Sequence, residues 1–233
     1  MNSRNRLLAV IDLEEPDYPS TGEAVINPPV FDKMLGKKTA LWDLVETDAK
    51  INDLINTKYI AVPFGVIVTP EDYVNSQRKF GLDWISVFSG LQERSVVTKG
   101  VGAKIEFNKD AQTAWYVGGN LKSREDLELL KENFDPYDPG RVFNKVNKKA
   151  LKIAHEMDMA VLGVAGNVFQ GAIDACGYES FMVDVYRKPD LIKDVLDFFS
   201  WFGAELAKQF IDLGVDAILI CDDMCNRKGP FIS

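Results

Sequence analysis

The segment from Pro189 to Cys221 constrains the fold of this chain more than any other. Leu191, Val195, Phe198 or Phe199, Phe202, Leu206 and Phe210 form one apolar stripe at helical spacing, opened by Pro189 and closed by Gly214 where a C-cap belongs. Shortly after it, Asp216-Ala217-Ile218-Leu219-Ile220-Cys221 reads as a strand apolar on both faces. A strand without alternation, fed directly by an amphipathic helix, belongs to a parallel sheet covered on both sides. The pairing recurs upstream, where Phe143, Val146, Ala150, Ile153 and Met157 lead at helical spacing into the apolar run Met159 to Ala165. Trp84 to Ser89, closed by Gly90, is the first such strand. The fold class is α/β, as a (β/α)8 barrel or a doubly wound sheet.

The first 82 residues read as a lead-in, helical and irregular, and residues 83–233 as the first part of the repeating core. Ser3 to Leu13 suits a short helix stopped by Glu14-Glu15-Pro16-Asp17, and Pro19, Gly22, Pro28 and Pro29 keep the next stretch irregular before two short helical segments. Pro63 and Gly65 interrupt the β-formers from Tyr59 to Val68, which argues against a regular central strand there. Thr69-Pro70-Glu71-Asp72 is a helix start with Thr as N-cap and Pro at the first helical position. Val96 to Val117 holds two β-rich runs around Asn108-Lys109-Asp110, a hairpin decorating the fold. Ser123-Arg124-Glu125-Asp126 opens a further helix with capping-box spacing, Glu125 to Glu128 reading as its solvated face.

Composition narrows the function classes. The 233 residues are 46% apolar and 27% charged, enough for a substantial core, and apolar runs such as Ala217 to Cys221 are far too short to span a bilayer. The amino terminus has only five apolar residues before Asp12, too few for a signal-peptide core, so a cytoplasmic location without a membrane partner is expected. Three cysteines speak against a disulfide framework, and a net charge of −8 against a nucleic-acid partner.

In either parallel architecture the active site lies at the carboxyl ends of the strands. Those ends carry Ser89-Gly90, then Gly163-Val164-Ala165-Gly166-Asn167, then Asp222-Asp223. The aspartate pair is the sharpest signal. Two adjacent carboxylates can accept hydrogen bonds from an NH-bearing substrate, hold a metal or share a proton; the plainer alternative has one capping a turn and the other solvated. Gly163-x-x-Gly166-Asn167 allows a ligand close to the backbone but lacks the full G-x-G-x-x-G of a dinucleotide site, and Gly100-Val101-Gly102 sits in the hairpin. A nucleophilic Ser89 needs a base, and His155, the single histidine, precedes a strand rather than following one, which fits a surface or packing role. Cys221 and Cys225 with Cys176 lack the spacing of a tetrahedral zinc site, and Cys221 reads as a buried strand residue. The aromatics Phe198, Phe199, Trp201, Phe202 and Phe210 read as core.

Three segments, opening at Arg4-x-Arg6, at Gly166-Asn167-Val168-Phe169 and at Asp222-Asp223-Met224, together resemble the uroporphyrinogen decarboxylase superfamily. Arg4-x-Arg6-Leu7-Leu8-Ala9 with Glu14-Glu15-Pro16-Asp17 is similar to its amino-terminal opening. Gly166-Asn167-Val168-Phe169, then Gly177-Tyr178-Glu179-Ser180-Phe181-Met182 and Tyr186-x-x-Pro189-Asp190-Leu191, resemble its second-strand region. Asp222-Asp223-Met224 with Lys228-Gly229-Pro230-Phe231-Ile232-Ser233 resembles a third strand end. The resemblance implies a (β/α)8 barrel, with Asp222 and Asp223 as catalytic candidates and Ser89, Gly166, Asn167 and Phe169 as substrate-binding candidates. It implies either cofactor-free decarboxylation of a tetrapyrrole in porphyrin biosynthesis, or methyl transfer from a methylated corrinoid protein to a thiol or folate, usually with zinc held by His-x-Cys and a later Cys.

Departures from the family pattern favour the second branch. The decarboxylases carry an Arg-Gln-Ala-Gly-Arg type segment that the Asn27 to Lys38 region lacks, and an aspartate after Phe-Ser where this chain has Phe88-Ser89-Gly90. Losing that acid removes the group suited to a protonated pyrrole. The His-x-Cys pattern is absent too, so no metal ligand is assigned within this segment; zinc and a corrinoid partner are expectations for a longer protein. With three core strands counted, the chain is expected to be the amino-terminal portion of such a barrel, inactive alone. A non-catalytic module that grips a corrinoid protein is the alternative from another class.

Overall fold

The computed structural model describes residues 1–24, 26, 28–37, 60–62, 66–89, 102–108, 113–138 and 140–231. Asn27, Lys38, Tyr59, Pro63, Gly65, Gly90, Val96 to Val101, the Lys109-Asp110 turn, Pro139 and Ile232-Ser233, which entered the expectations above, lie outside them. In chain order the elements are α1 (Ser3–Ile11), α2 (Pro28–Leu35), the short strands β1 (Ile60–Val62) and β2 (Val66–Val68), α3 (Pro70–Lys79), β3 (Trp84–Phe88), β4 (Ala103–Asn108), β5 (Thr113–Gly119), α4 (Arg124–Asn133), α5 (Lys145–Glu156), β6 (Ala160–Val164), α6 (Val168–Cys176), α7 (Tyr178–Arg187), α8 (Pro189–Leu213), β7 (Ala217–Leu219), β8 (Cys225–Asn226) and β9 (Gly229–Pro230).

Local chemistry sets the helix starts. Thr69 accepts from the Asp72 amide at 3.1 Å and Pro70 occupies the first turn of α3, whose acids Glu71 and Asp72 and bases Arg78 and Lys79 sit at the ends the helix dipole favours. Ser123 and Asp126 form the reciprocal capping box of α4, so Asp126 is a capping group and Leu127, 1% exposed, is core. Both therefore leave the solvated face expected for Glu125 to Glu128. Helix α8 ends where Gly214 takes the left-handed conformation at φ 97°.

The centre is a parallel sheet of three strands in the order β3-β6-β7. Trp84 to Phe88 register against Ala160 to Val164, and Leu162 to Val164 against Ala217 to Leu219. The apolar face of α8, including Val195, Phe198, Phe202, Leu206 and Phe210, is buried in the same core as Ile85, Val87 and Val161. Strands β3 and β6 are buried along their middles, as strands without alternation should be. β7 departs from expectation. It is three residues long and half-buried, Ile220 beyond it is 64% exposed, and Cys221 is exposed rather than a buried strand residue. The reason is its place at the sheet edge, where among the described residues no further strand covers it.

The hairpin β4-β5 is antiparallel as expected, with Asn108 opposite Thr113. The β-formers near Val68 form the antiparallel pair β1-β2 outside the main sheet. Trp201 is 45% exposed, unlike its buried neighbours Phe198 and Phe202. Helices α6 and α7, in a stretch recognised above only by motif, pack against α8 and each other, and α6 also against the β4-β5 hairpin.

At the amino ends of the strands, α1 acts as a clamp. Arg6 lies 3% exposed with its Nη1 2.5 Å from Asp83, just before β3, and its Nε 2.8 Å from Asp17. Arg4 reaches Asp216, just before β7, through Nε at 2.7 Å. His155 Nε2 meets the other oxygen of Asp216 at 3.0 Å, and the Val161 amide donates to that oxygen at 2.8 Å. The packing role expected of His155 is thus a specific one, remote from the carboxyl ends of the strands.

Candidate functional site at the strand carboxyl ends

The register aligns Phe88, Val164 and Leu219 across the sheet, so Ser89, Ala165 to Asn167 and Ile220 to Asp223 emerge along one edge. Ala165 extends the ladder, its amide donating to the Leu219 carbonyl at 3.1 Å. Gly166 follows at φ 79°, and a Cβ there meets Gly203 Cα at 3.1 Å, so the loop after β6 lies against the middle of α8. Only glycine meets both demands without strain.

The aspartate pair is divided. Asp222 Oδ2 accepts from the Phe169 amide at 2.9 Å and Oδ1 from the Gln170 amide at 2.7 Å. Each oxygen thus takes one of the orphan amides of the first turn of α6, and the charge sits at the positive end of the helix dipole. Asn167, the residue before that helix, makes no cap of its own. With its side-chain amide turned so that the nitrogen faces them, the orientation that satisfies its hydrogen bonds, it donates instead to the carbonyls of Gly166 and Cys221, both at 2.7 Å, joining the ends of β6 and β7. Asp223 is exposed at the same edge.

Phe169 is buried at 5%, edge-on to Phe181 with ring centres 5.4 Å apart and stacked on Phe231 at 6.0 Å. Tyr178 meets Phe231 edge-on at 5.8 Å. The Phe231 amide donates to the Met224 carbonyl at 3.0 Å, so the stack anchors the β8-β9 ribbon that carries the chain away from Asp223. Cys221 is a poor nucleophile here. Partial desolvation, then the carboxylates of Asp223 and Asp222, push its thiol pKa up, away from the thiolate form.

Ser89, half-buried past β3, has a different neighbour. Arg141 Nη1 donates to its Oγ across a long 3.5 Å, while Arg141 Nε donates to the Asp135 carbonyl at 2.5 Å. Arg141 as a whole is 4% exposed, and its guanidinium lies 5.0 Å from the Phe202 ring centre and 5.6 Å from that of Phe134. The structure therefore brings Gly166, Asn167, Phe169 and Asp222 into one bonded cluster with Asp223 beside it, and sets Ser89 two strands away with Arg141. Sequence reasoning missed Arg141 and the stacking role of Phe231. The signal for Arg141 was a cation directly after the Asp138-Pro139-Gly140 break, and for Phe231 an aromatic in a phrase noted only for its resemblance.

A parallel α/β sheet with polar and charged groups gathered at its carboxyl edge defines a protein of the strand-end-site class. The sequence matches the family described as uroporphyrinogen decarboxylase (URO-D) over residues 73–229, most of the chain, and the protein belongs to that family. The solved structure of a methyltransferase from Methanosarcina mazei is similar at a TM-score of 0.56 and 20% identity, a likeness of fold. It covers 96% of this chain, which spans 60% of the length of that structure. No curated protein gives a match.

Proposed function

We propose that this chain belongs to an enzyme that moves a methyl group from a methylated corrinoid protein to a thiol or folate acceptor, built on a (β/α)8 barrel that β3, β6 and β7 begin. The barrel reading is supported by the three described strands, which add in chain order in one direction. The matched structure's description as a methyltransferase agrees with the reaction class. The observation that carries methyl transfer over decarboxylation is Arg141 beside Ser89. Decarboxylation through a protonated pyrrole needs an anion at the substrate, and this strand end offers a guanidinium and, in sequence, glycine after Ser89.

In the transfer step the acceptor sulfur or nitrogen forms a bond to the methyl carbon as the cobalt–carbon bond breaks, its electron pair staying with cobalt. The chain's part is to hold the acceptor at the strand ends and take up its proton. Asp222 is committed to the α6 amides, so Asp223 is the carboxylate of the pair placed to receive a proton or hydrogen bond. Zinc does not fit this segment: among the described residues no three His, Cys, Asp or Glu converge, and His155 is bonded to Asp216 at the opposite edge.

The test is to incubate the whole enzyme, its complete barrel included, with methylcobalamin and 2-mercaptoethanol and follow the corrinoid absorption. Protein-dependent demethylation that falls at least tenfold in Asp223→Asn is the expected result. Conversion of uroporphyrinogen to coproporphyrinogen with no demethylation overturns the proposal.

A further inference from the structure

Helix α6 holds Asp222 at its amino end and is fastened at its other end by a different part of the chain. Nine residues are too few for a helix to persist alone, so the terminal turns of α6 depend on what meets them. At the amino end Asp222 takes the Phe169 and Gln170 amides. At the carboxyl end the chain leaving the β4-β5 hairpin supplies the donors. The Leu121 amide donates to the Ala175 carbonyl at 3.0 Å, and Lys122 Nζ donates to the Cys176 carbonyl at 2.5 Å and to Ser180 Oγ at 2.7 Å. A carboxylate at the amino end and an ammonium at the carboxyl end are the charges a helix dipole favours, so Asp222 and Lys122 act on one helix in the same sense. Gly119, at the end of β5, completes the seat. A Cβ there falls 2.3 Å from the Asp174 carbonyl oxygen and 2.4 Å from that of Ala175, closer than atoms pack, so the hairpin backbone abuts the last turn of α6. The hairpin thus stops the helix at one end while Asp222 holds it at the other, and Asp223 is the next residue along the chain from Asp222.

We infer that Lys122 is a positioning residue for Asp223: through α6 and Asp222, the hairpin seat sets where the exposed carboxylate stands at the strand ends. The inference rests on the methyl-transfer reading for the role of Asp223 and on the geometry for the coupling. The two-state element is α6, its end turns formed or frayed, and Lys122 and Asp222 both bias it towards the formed state. Hydrogen exchange in the whole enzyme tests this without turnover. Lys122 is exposed, so Lys122→Met leaves the fold intact, and exchange at the Phe169 and Gln170 amides, at the opposite end of the helix, should rise about threefold or more while that at Leu162 in β6 stays unchanged. Lys122→Arg should restore protection, and Gly119→Ala, which pushes the hairpin off the last turn, should remove it. In an Asp222→Ala background, where both amides are already released, Lys122→Met should add nothing at them, the non-additivity of two groups acting on one element. In methylcobalamin demethylation Lys122→Met should lower kcat about threefold or more and leave KM for 2-mercaptoethanol unchanged, because the displaced group takes up a proton and does not bind the thiol. Unmoved exchange at Phe169 and Gln170 in both Lys122→Met and Gly119→Ala, additivity with Asp222→Ala, or raised exchange with an unchanged kcat overturns the inference. Raised exchange in a protein whose unsubstituted form does not demethylate methylcobalamin removes the methyl-transfer reading and leaves the coupling standing.

Discussion

Asp222 and Asp223 are adjacent and chemically alike, yet their surroundings give them different work. Asp222 holds two backbone amides of α6, an arrangement that in other helices contributes on the order of 1–3 kcal/mol when the acceptor is charged. Asp222→Ala is expected to lower stability by about that amount and to speed hydrogen exchange at the Phe169 and Gln170 amides, measured by denaturant titration and exchange mass spectrometry. Asp223→Asn, at an exposed position, should leave the denaturant midpoint unchanged while lowering demethylation. If the two variants lose stability alike, the division between a structural and a chemical aspartate is wrong. The sequence placed both at a strand end but could not separate them, because the amides that claim Asp222 lie 53 and 52 residues earlier. Arg141 was hidden for the same reason, its contact with Ser89 spanning 52 residues.

At the scale of elements, what was legible was local. The starts of α3 and α4 follow from side-chain caps, the start of α8 from a proline in its first turn and its end from a left-handed glycine, so Thr69-Pro70, Ser123, Pro189 and Gly214 announced them. β3 and β6 followed from unbroken apolar runs. β7 was misjudged in depth because a strand's burial depends on its neighbours in the sheet, which its own residues do not encode. The contact between the β6 exit and α8 offers a test of how rigidly one element positions another. Gly166→Ala forces a side chain into a φ of 79° and against Gly203 Cα, and should cost more than about 1 kcal/mol. Gly36→Ala, at φ 68° with open space around its Cβ, isolates the backbone part of that cost. A Gly166→Ala variant no less stable than Gly36→Ala means the approach to α8 is not tight, and the strand-end loop is free to move relative to the helix.

Across the whole molecule the ion-pair latch and the proposed chemistry lie at opposite ends of the sheet. The carboxyl end carries the exposed Asp223 and the Ser89 hydroxyl, while the amino end is closed by α1, whose Arg4 and Arg6 tie the approaches to β7 and β3 through Asp216 and Asp83. The Arg-x-Arg opening noted for its family resemblance is therefore a structural latch. Arg6→Met strands the buried carboxylate of Asp83 and should lower the melting temperature more than Arg4→Met, because the Arg4 side chain is 42% exposed. The latch also makes acid stability specific. The hydrogen bond from Arg6, then that from the Met1 amine, hold the Asp17 carboxyl below its ordinary value of 3.8. Below pH 4 the unfolded chain therefore binds a proton at this site that the folded chain resists. The pair's contribution is complete above about pH 4 and is lost as pH falls through the depressed folded value. Asp17→Asn should lower stability at neutral pH and flatten the loss of stability below pH 4, read from urea midpoints across pH 2 to 7. Unchanged steepness in that acid limb would show that Asp17 does not titrate against Arg6. Demethylation at neutral pH should survive Asp17→Asn wherever the protein remains folded, since the latch and Asp223 lie at opposite ends of the same three strands.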